Sequence, residues 1–99
     1  MACKPWTGIP IKGLIHPLMR RISVAMWQLE LKELRINLSE NVRMLRGAQG
    51  LSQEKLAFEA GVDRTLVSKI ERTIANPTLE VLTKLAVVLG VPVARLLKP

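Results

Sequence analysis

The sequence predicts an all-α protein with five helices, and three observations lead to this prediction. Helix start and stop signals recur regularly from residue 38 to residue 99, where glycines, prolines and good N-cap residues separate apolar segments. Apolar residues within those segments recur at helical spacing. Aromatic side chains are limited to Trp6, Trp27 and Phe58, so the core is expected to be mainly aliphatic.

Residues 1–37 differ from the rest of the chain and are expected to form an N-terminal extension that is irregular or partly helical, and poorly ordered. Prolines interrupt this part up to Pro17. Beyond Pro17, helical spacing competes with a strand-like alternation. The helical spacing links Leu18, Ile22, Met26 and Leu29, and the alternation places Trp27, Leu29 and Leu31 between polar residues. Both secondary structures therefore remain open for residues 18–36.

The domain itself is expected to occupy residues 38–99. Its first helix is predicted to begin at Leu38 or Ser39, and Gly47 and Gly50 weaken and end that helix. Five helices within about 62 residues make a compact domain that is near the lower size limit for folding alone.

Two short helices follow, joined by a tight turn. Ser52 is a good N-cap for a second helix over Gln53–Ala60. Gly61 stands where a left-handed residue closes a helix. Asp63 then caps a third helix, about Arg64–Thr73, and its negative charge favours the positive end of the helix dipole.

Two further helices complete the domain. Asn76-Pro77 is a turn signal, and Thr78 caps a fourth helix over Leu79–Leu89, which Gly90 ends. Pro92 opens a last short helix. An apolar C-terminal patch is formed by Val91, Val93, Leu96 and Leu97. This patch either faces a partner subunit or closes the core of the monomer.

Composition narrows the possible partners. The net charge of +7 suits a polyanion, either nucleic acid or an acidic membrane surface. The scarcity of aromatic residues argues against single-strand binding, which relies on base stacking. Cys3 is the only cysteine, which excludes an internal disulfide and fits the reducing cytoplasm.

No cofactor, metal or catalytic site is expected. His16 is the only histidine, and the sequence has no cluster of Cys, His and carboxylates for a metal ion. It shows no nucleophile–base pair and no phosphate-binding loop, so an enzyme is not expected. No apolar run reaches the ~18 residues needed to span a bilayer. The early prolines and Arg20-Arg21 argue against a secretory signal.

Residues 52–71 carry the strongest functional signal, because they meet the demands of helix-turn-helix geometry at seven positions. The residue where the two helices cross must be small, and Ala57 fits. The turn needs a positive φ, which Gly61 adopts without steric cost. The core positions are apolar, and they are Leu56, Ala60, Val62, Val67 and Ile70. An ordinary helical hairpin is the alternative, but it would rarely match all seven positions.

The third helix has a polar and basic side opposite its core side. That side carries Arg64, Thr65, Ser68 and Lys69, with Arg72 one turn later. Arg and Lys donate to guanine O6 and N7, and Thr and Ser contact bases or phosphates. The pattern predicts a helix that enters the major groove of double-stranded DNA.

Residues 38–99 resemble the lambda-repressor-like, or XRE-type, helix-turn-helix regulators, which implies that family's five-helix DNA-binding domain. The matching stretches are Asn41-Val-Arg-Met-Leu-Arg46, Gly50-Leu-Ser-Gln-Glu-Lys-Leu-Ala57, Ala60-Gly-Val-Asp-Arg-Thr-Leu-Val-Ser-Lys-Ile-Glu-Arg72, Asn76-Pro-Thr-Leu79, and Leu85-Ala86 with Leu89-Gly-Val91. The chain also resembles the small controller-type members, which are little more than the DNA-binding domain.

The resemblance implies which residues contact DNA, namely Gln53, Arg64, Thr65, Ser68, Lys69, Arg72 and Asn76. Three of them, Arg64, Thr65 and Lys69, would read base edges, with Ser68 beside them. Gln53 would contact a phosphate at the start of the second helix, and Arg72 and Asn76 would hold the DNA backbone. The resemblance further implies a structural ion pair between Arg46 and Glu71, which joins the first helix to the third.

Two residues depart from the family pattern. Thr73 stands where members often have glycine after the Glu-Arg pair. The exit of the third helix is therefore expected to differ, which puts the Asn76 contact in doubt. Leu66 stands where members often have tyrosine, so a polar contact near the DNA backbone is missing.

Together these observations predict a cytoplasmic, sequence-specific transcriptional regulator of the lambda-repressor-like type, which binds a palindromic operator as a homodimer; repression and activation both stay open. The alternative is an antitoxin-type module that binds a partner toxin and uses DNA binding for autoregulation, with residues 18–36 as the partner-binding element. Three interpretations of residues 1–37 stay open. In the first, these residues form a basic arm that touches DNA. In the second, residues 18–36 form a dimerisation element. In the third, residues 1–37 are a poorly ordered extension that results from an over-long start assignment, with Met26 as the true start.

Overall fold

The computed structural model describes the backbone of residues 17–99 and the side chains from residue 25 onward, so Cys3, Trp6 and His16 lie outside the described residues. The described part contains five α-helices and no strand. The helices are α1 (Pro17–Ala48), α2 (Gln53–Ala60), α3 (Arg64–Glu71), α4 (Leu79–Leu89) and α5 (Val93–Leu97). The prediction of an all-α, five-helix fold is confirmed.

The start of α1 corrects the sequence-based prediction. The helix begins at Pro17, so the start expected at Leu38 or Ser39 is wrong. No proline or glycine interrupts residues 18–46, and nothing in that stretch ends a helix. Proline is also favourable at a first helical position, because its missing N–H has no intrahelical acceptor there. Residues 18–36 are therefore helical, and α1 runs without a break from the extension into the domain.

The remaining helices begin at the predicted caps. Ser52 Oγ accepts a hydrogen bond from the Lys55 N–H at 3.0 Å. Asp63 Oδ1 accepts from the Thr65 N–H at 2.8 Å, and Thr78 Oγ1 from the Val81 N–H at 3.2 Å. The predicted bounds of α2 and α4 are confirmed at both ends, whereas α3 ends at Glu71 rather than at Thr73.

One turn geometry closes each of the first four helices. A residue with positive φ follows each helix, and these residues are Gly50 (68°), Gly61 (69°), Thr73 (63°) and Gly90 (75°). The next N–H then reaches the carbonyl five residues back, as from Val62 to Ala57 at 3.0 Å and from Ile74 to Lys69 at 3.0 Å. The turn after α3 thus has the same hydrogen bonds as the glycine turns, although a β-branched residue occupies the left-handed position.

The core is aliphatic, as predicted from the few aromatic residues. α1 packs on α3 and α5, α2 packs on α3 and α4, and α4 packs on α5. The largest fully buried side chains are Val42, Leu56, Val67, Ile70, Leu85 and Leu96. Leu96 therefore closes the core of the monomer and is not available to a partner. Val91, Val93 and Leu97 are half-buried and pack against the same core.

Residues 25–30 of α1 are exposed to solvent. Met26, Trp27 and Leu29 expose 61%, 54% and 65% of their surface, whereas Leu38 and Val42, further along α1, are buried. From residue 25 onward, α1 thus begins with an exposed, partly apolar segment and packs against the core from Leu38.

Thr73→Gly should stabilise the domain, because Thr73 is exposed and a non-glycine residue at positive φ costs on the order of 1–3 kcal/mol. Glycine also makes the unfolded chain more flexible, so we expect a net gain of about 1 kcal/mol. For a domain of this size, that gain raises the melting temperature by about 4–8 °C. Thermal unfolding followed by circular dichroism measures it.

Thr83→Gly is the matched control, since Thr83 is exposed within α4 and glycine weakens a helix interior. This variant should melt at a lower temperature than the wild type. A Thr73→Gly variant that also melts lower would show that the turn after α3 is not strained.

Candidate nucleic-acid interface

The turn between α2 and α3 sets the angle of the two helices. Gly61 has φ of 69°, its N–H bonds to the Phe58 carbonyl at 3.2 Å, and Val62 bonds to Ala57 at 3.0 Å. A Cβ added at Gly61 would meet no atom within 4 Å, so glycine is needed for its conformation and not for space. Ala57, predicted as the small crossing residue, is 2% exposed. The helix-turn-helix geometry predicted for residues 52–71 is present.

α3 has one buried side and one exposed side. Val67, Ile70 and Glu71 are buried against the rest of the domain. Arg64, Thr65 and Lys69 are exposed on the other side, and Ser68 is half-buried beside them. The residues predicted to read base edges therefore share the solvent side of a helix whose other side is anchored in the core.

Glu71 lies where α1, α2 and α3 meet, and only 3% of its side chain is exposed. Arg46 of α1 binds the carboxylate with two hydrogen bonds, Nε to Oε2 at 2.7 Å and Nη2 to Oε1 at 3.0 Å. Gln53 of α2 donates its amide Nε2 to Oε1 at 2.9 Å. The ion pair between Arg46 and Glu71 that the resemblance implied is confirmed.

The backbone carbonyl of Glu71 is bound as well. Ser39 Oγ donates to it at 2.6 Å, and Arg43 Nη2 donates at 2.9 Å. Carbonyls in the last turn of a helix lack intrahelical partners, so these two side chains of α1 satisfy one of them. Arg46 Nη1 also donates to the Leu51 carbonyl, just before α2, at 2.9 Å. Polar contacts therefore hold α3 to both preceding helices.

The pKa of the Glu71 carboxyl lies below its ordinary value. Burial opposes the charged form, but hydrogen bonds from Arg46 and Gln53 outweigh burial, and the charges of Arg46 and Arg43 act in the same direction as the hydrogen bonds. The hydrogen bond to Glu71 raises the pKa of Arg46, against the opposing effect of burial, and the charge of Glu71 adds to the increase. Both groups are ionised at neutral pH.

The other three predicted site residues lie outside α3, at the start of α2 and after the end of α3. Arg72 caps the C-terminus of α3 and is exposed, and Asn76 is exposed in the connection to α4. Arg35 Nε holds that connection by donating to the Ala75 carbonyl at 3.1 Å. Gln53 is half-buried, and its bond to Glu71 uses one of the two N–H groups of its amide.

Sequence reasoning missed the α1 side chains that surround Glu71. Ser39 was expected near a helix start, yet it donates to the carbonyl of Glu71 from the middle of α1. Arg43 was part of a matching stretch without a role of its own. Its position three residues before Arg46, on the same side of a helix, was the available signal.

The described residues hold neither a metal-binding cluster nor a membrane-spanning helix. No group of three or more His, Cys, Asp or Glu side chains there has an arrangement that would hold a metal ion. None of the described helices combines the length and apolar character required to cross a membrane.

Known proteins resemble this chain over most of the domain. The helix-turn-helix family model matches residues 42–96. A hypothetical transcription factor of Neisseria meningitidis serogroup B is 44% identical over 68 residues, which cover 69% of this chain and 64% of that protein. The control protein C.SmaI of Serratia marcescens is 42% identical over 69 residues, which cover 70% of this chain and 79% of that protein. The crystal structure of the restriction-modification controller protein C.AhdI from Aeromonas hydrophila matches with a TM-score of 0.60 and 40% identity, over 63% of this chain and 94% of that one.

The chain belongs to the helix-turn-helix family, and its fold is that of the XRE, or lambda-repressor-like, members. It spans just under two thirds of the length of the Neisseria relative. The Neisseria and Serratia relatives are named as a transcription factor and as a control protein. The family match begins at Val42, so the first part of α1 lies outside it.

Arg46→Ala should destabilise the domain by about 3–5 kcal/mol, because it leaves the buried Glu71 carboxylate without its main partner. Urea denaturation measures the loss. Lys55→Ala is the control, since it removes an exposed ion pair with Glu59 at 3.4 Å that is worth about 0.5 kcal/mol or less. Equal unfolding midpoints for Arg46→Ala and the wild type would contradict the role of the Arg46–Glu71 pair.

The stability of the domain should depend on the ionisation of Glu71. Because the folded-state pKa is lowered, the contribution is fully present above the unfolded-state pKa of about 4.3 and is lost as pH falls through the folded-state pKa. Urea denaturation between about pH 7 and pH 3 measures this loss. Glu71→Gln should be less stable at neutral pH and lose less stability on acidification, whereas the exposed Glu80→Gln should follow the wild type. Parallel curves for the wild type and Glu71→Gln would rule out Glu71 as the source.

Proposed function

We propose that this helix-turn-helix protein is a sequence-specific transcriptional regulator, which binds double-stranded DNA by placing α3 in the major groove. The observation that carries the proposal is the division of α3 into two sides. Glu71 and its apolar neighbours fix one side in the core, while Arg64, Thr65 and Lys69 present donors to solvent on the other. A fixed helix with exposed donors is what base readout in the major groove requires.

Base readout is assigned to the exposed side of α3. Arg64 and Thr65 occupy its first turn, directly after the Asp63 cap, and Lys69 follows one turn later. In helix-turn-helix proteins the N-terminal part of this helix meets the base edges. Arg64 and Lys69 are suited to guanine O6 and N7, and Thr65 and Ser68 to a base or a neighbouring phosphate.

Contacts to the DNA backbone are assigned to Gln53, Arg72 and Asn76. Gln53 is the first residue of α2, where free backbone N–H groups and the helix dipole favour a phosphate. Its bond to Glu71 at 2.9 Å restrains the amide, so less side-chain freedom is lost on binding. Arg72 and Asn76 are exposed beyond the C-terminal end of α3.

The proposed active form is a cytoplasmic homodimer on a palindromic site. A two-fold dimer places its two recognition helices about 34 Å apart, one turn of B-DNA. The half-buried Val91, Val93 and Leu97 support an apolar contact between the two subunits near the C-terminus. Leu96 takes no part in this contact, since it is fully buried.

A partner-binding protein of the antitoxin type is the second candidate. The exposure of Met26, Trp27 and Leu29 in α1 favours it, because large apolar side chains exposed close together on a helix are typical of a protein contact. Equal affinity for operator and unrelated DNA would support this candidate over sequence-specific regulation.

Arg64→Ala and Lys69→Ala should each weaken binding to the operator by about 1–3 kcal/mol and change binding to unrelated DNA much less, because they remove base contacts. Arg72→Ala should weaken both, because a phosphate contact carries no sequence information. Fluorescence anisotropy with the DNA upstream of the gene and with a scrambled duplex measures the two affinities.

Lys84→Ala is the matched control for Lys69→Ala, since Lys84 is exposed on α4 and pairs with Glu80 at 3.1 Å. It should leave the preference for the operator unchanged. Equal losses on both duplexes for Arg64, Lys69 and Arg72 variants would refute the base-readout assignment.

A further inference from the structure

Arg43 has an anchored guanidinium on a side chain that is largely exposed. Its Nη2 donates to the Glu71 carbonyl at 2.9 Å, and its Nε lies 3.7 Å from Glu71 Oε1. Nevertheless 60% of its side chain is exposed. A guanidinium has five N–H donors, so the bond to the carbonyl leaves further donors for another acceptor.

Arg43 and Gln53 approach the same carboxylate of Glu71. Gln53 Nε2 approaches the same Oε1 atom at 2.9 Å, so the two side chains are close neighbours around one carboxylate oxygen. Gln53 begins α2, next to which a DNA phosphate is proposed to bind. Arg43 thus brings a side chain from α1 to the edge of the proposed interface.

Around Glu71 there are two positive charges for one carboxylate. Arg46 forms a two-bonded pair with Glu71, so one positive charge is matched by the one buried carboxylate. Arg43 adds a second positive charge to this cluster, and it is more exposed than Arg46, at 60% against 20%. The unmatched charge is therefore presented to solvent on Arg43.

We infer that Arg43 is an additional DNA contact, which binds a backbone phosphate next to the one assigned to Gln53; this inference rests on the proposed function. The fork of a guanidinium suits two phosphate oxygens, and the charge strengthens the hydrogen bonds. The bond to the Glu71 carbonyl holds the group in place before DNA arrives, which reduces the entropy lost on binding. The contact positions the protein and does not read sequence.

The test is the salt dependence of DNA binding by the full chain, measured on the upstream duplex and on a scrambled duplex. A plot of log K against log salt has a slope of about −0.9 per phosphate contact. Arg43→Ala should therefore reduce the magnitude of the slope by about 0.9 for each bound protomer, to the same extent on both duplexes. Arg43→Lys, which keeps the charge, should restore most of the slope.

Arg95→Ala is the matched control, because Arg95 also donates one hydrogen bond from a partly buried guanidinium, from Nη1 to Asn41 Oδ1 at 2.8 Å. It lies on α5, which packs mainly on α1 and α4, and its loss should leave the slope unchanged. If Arg43→Ala does not fold, Arg43→Gln replaces it, since the amide keeps a donor for the Glu71 carbonyl without the charge.

Each outcome is decisive for one of the two claims. An unchanged slope for Arg43→Ala, beside a wild type that binds with normal salt dependence, would limit Arg43 to a structural role even if the melting temperature falls. An equal change for Arg95→Ala would show that overall charge, and not a local contact, sets the slope. Wild-type protein without salt-dependent DNA binding would overturn the proposed function itself.

Discussion

The buried carboxylate of Glu71 is the contact on which the arrangement of the first three helices depends. It comes from the last residue of α3, yet its partners belong to α1 and α2. An ionised carboxylate inside a domain of this size is unfavourable unless it is paired and hydrogen-bonded. The requirement to pair it selects one position of α3 among those that apolar packing alone would permit. Because α3 carries the residues proposed to read DNA, the same contact links stability to recognition.

The closing turns impose the second constraint. With only three to seven residues between helices, the chain must reverse direction sharply, and a left-handed residue after each of the first four helices achieves this. The capping side chains of Ser52, Asp63 and Thr78 then start the next helix. Short helices are marginal by themselves, so their ends and their packing determine whether they form. Arg64 and Thr65 occupy the first turn of α3 because Asp63 begins the helix directly before them.

Local signals in the sequence were sufficient for much of the fold. The bounds of α2 and α4 were predicted to the residue from the caps Ser52 and Thr78 and the closing glycines Gly61 and Gly90, because caps and left-handed positions depend on neighbours in the chain. The start of α1 was mispredicted, because residues 18–46 contain no proline or glycine and the helix continues unbroken through Ser39. The exposed side of α3 was predicted from its periodicity. The contacts of Gln53, Ser39 and Arg43 with Glu71 were not, because they join residues 18–32 positions apart and exist only once the helices pack.

We expect α3 to read bases while its opposite side is held by the core. Selection of binding sites from a random duplex library by the wild-type protein, with competitor DNA and a salt titration, measures whether it does. We expect an enriched two-fold sequence with half-site centres about 34 Å apart, bound tightly and saturably and weakened by salt. Recovered duplexes that share no sequence, with weak binding to all of them, would contradict it.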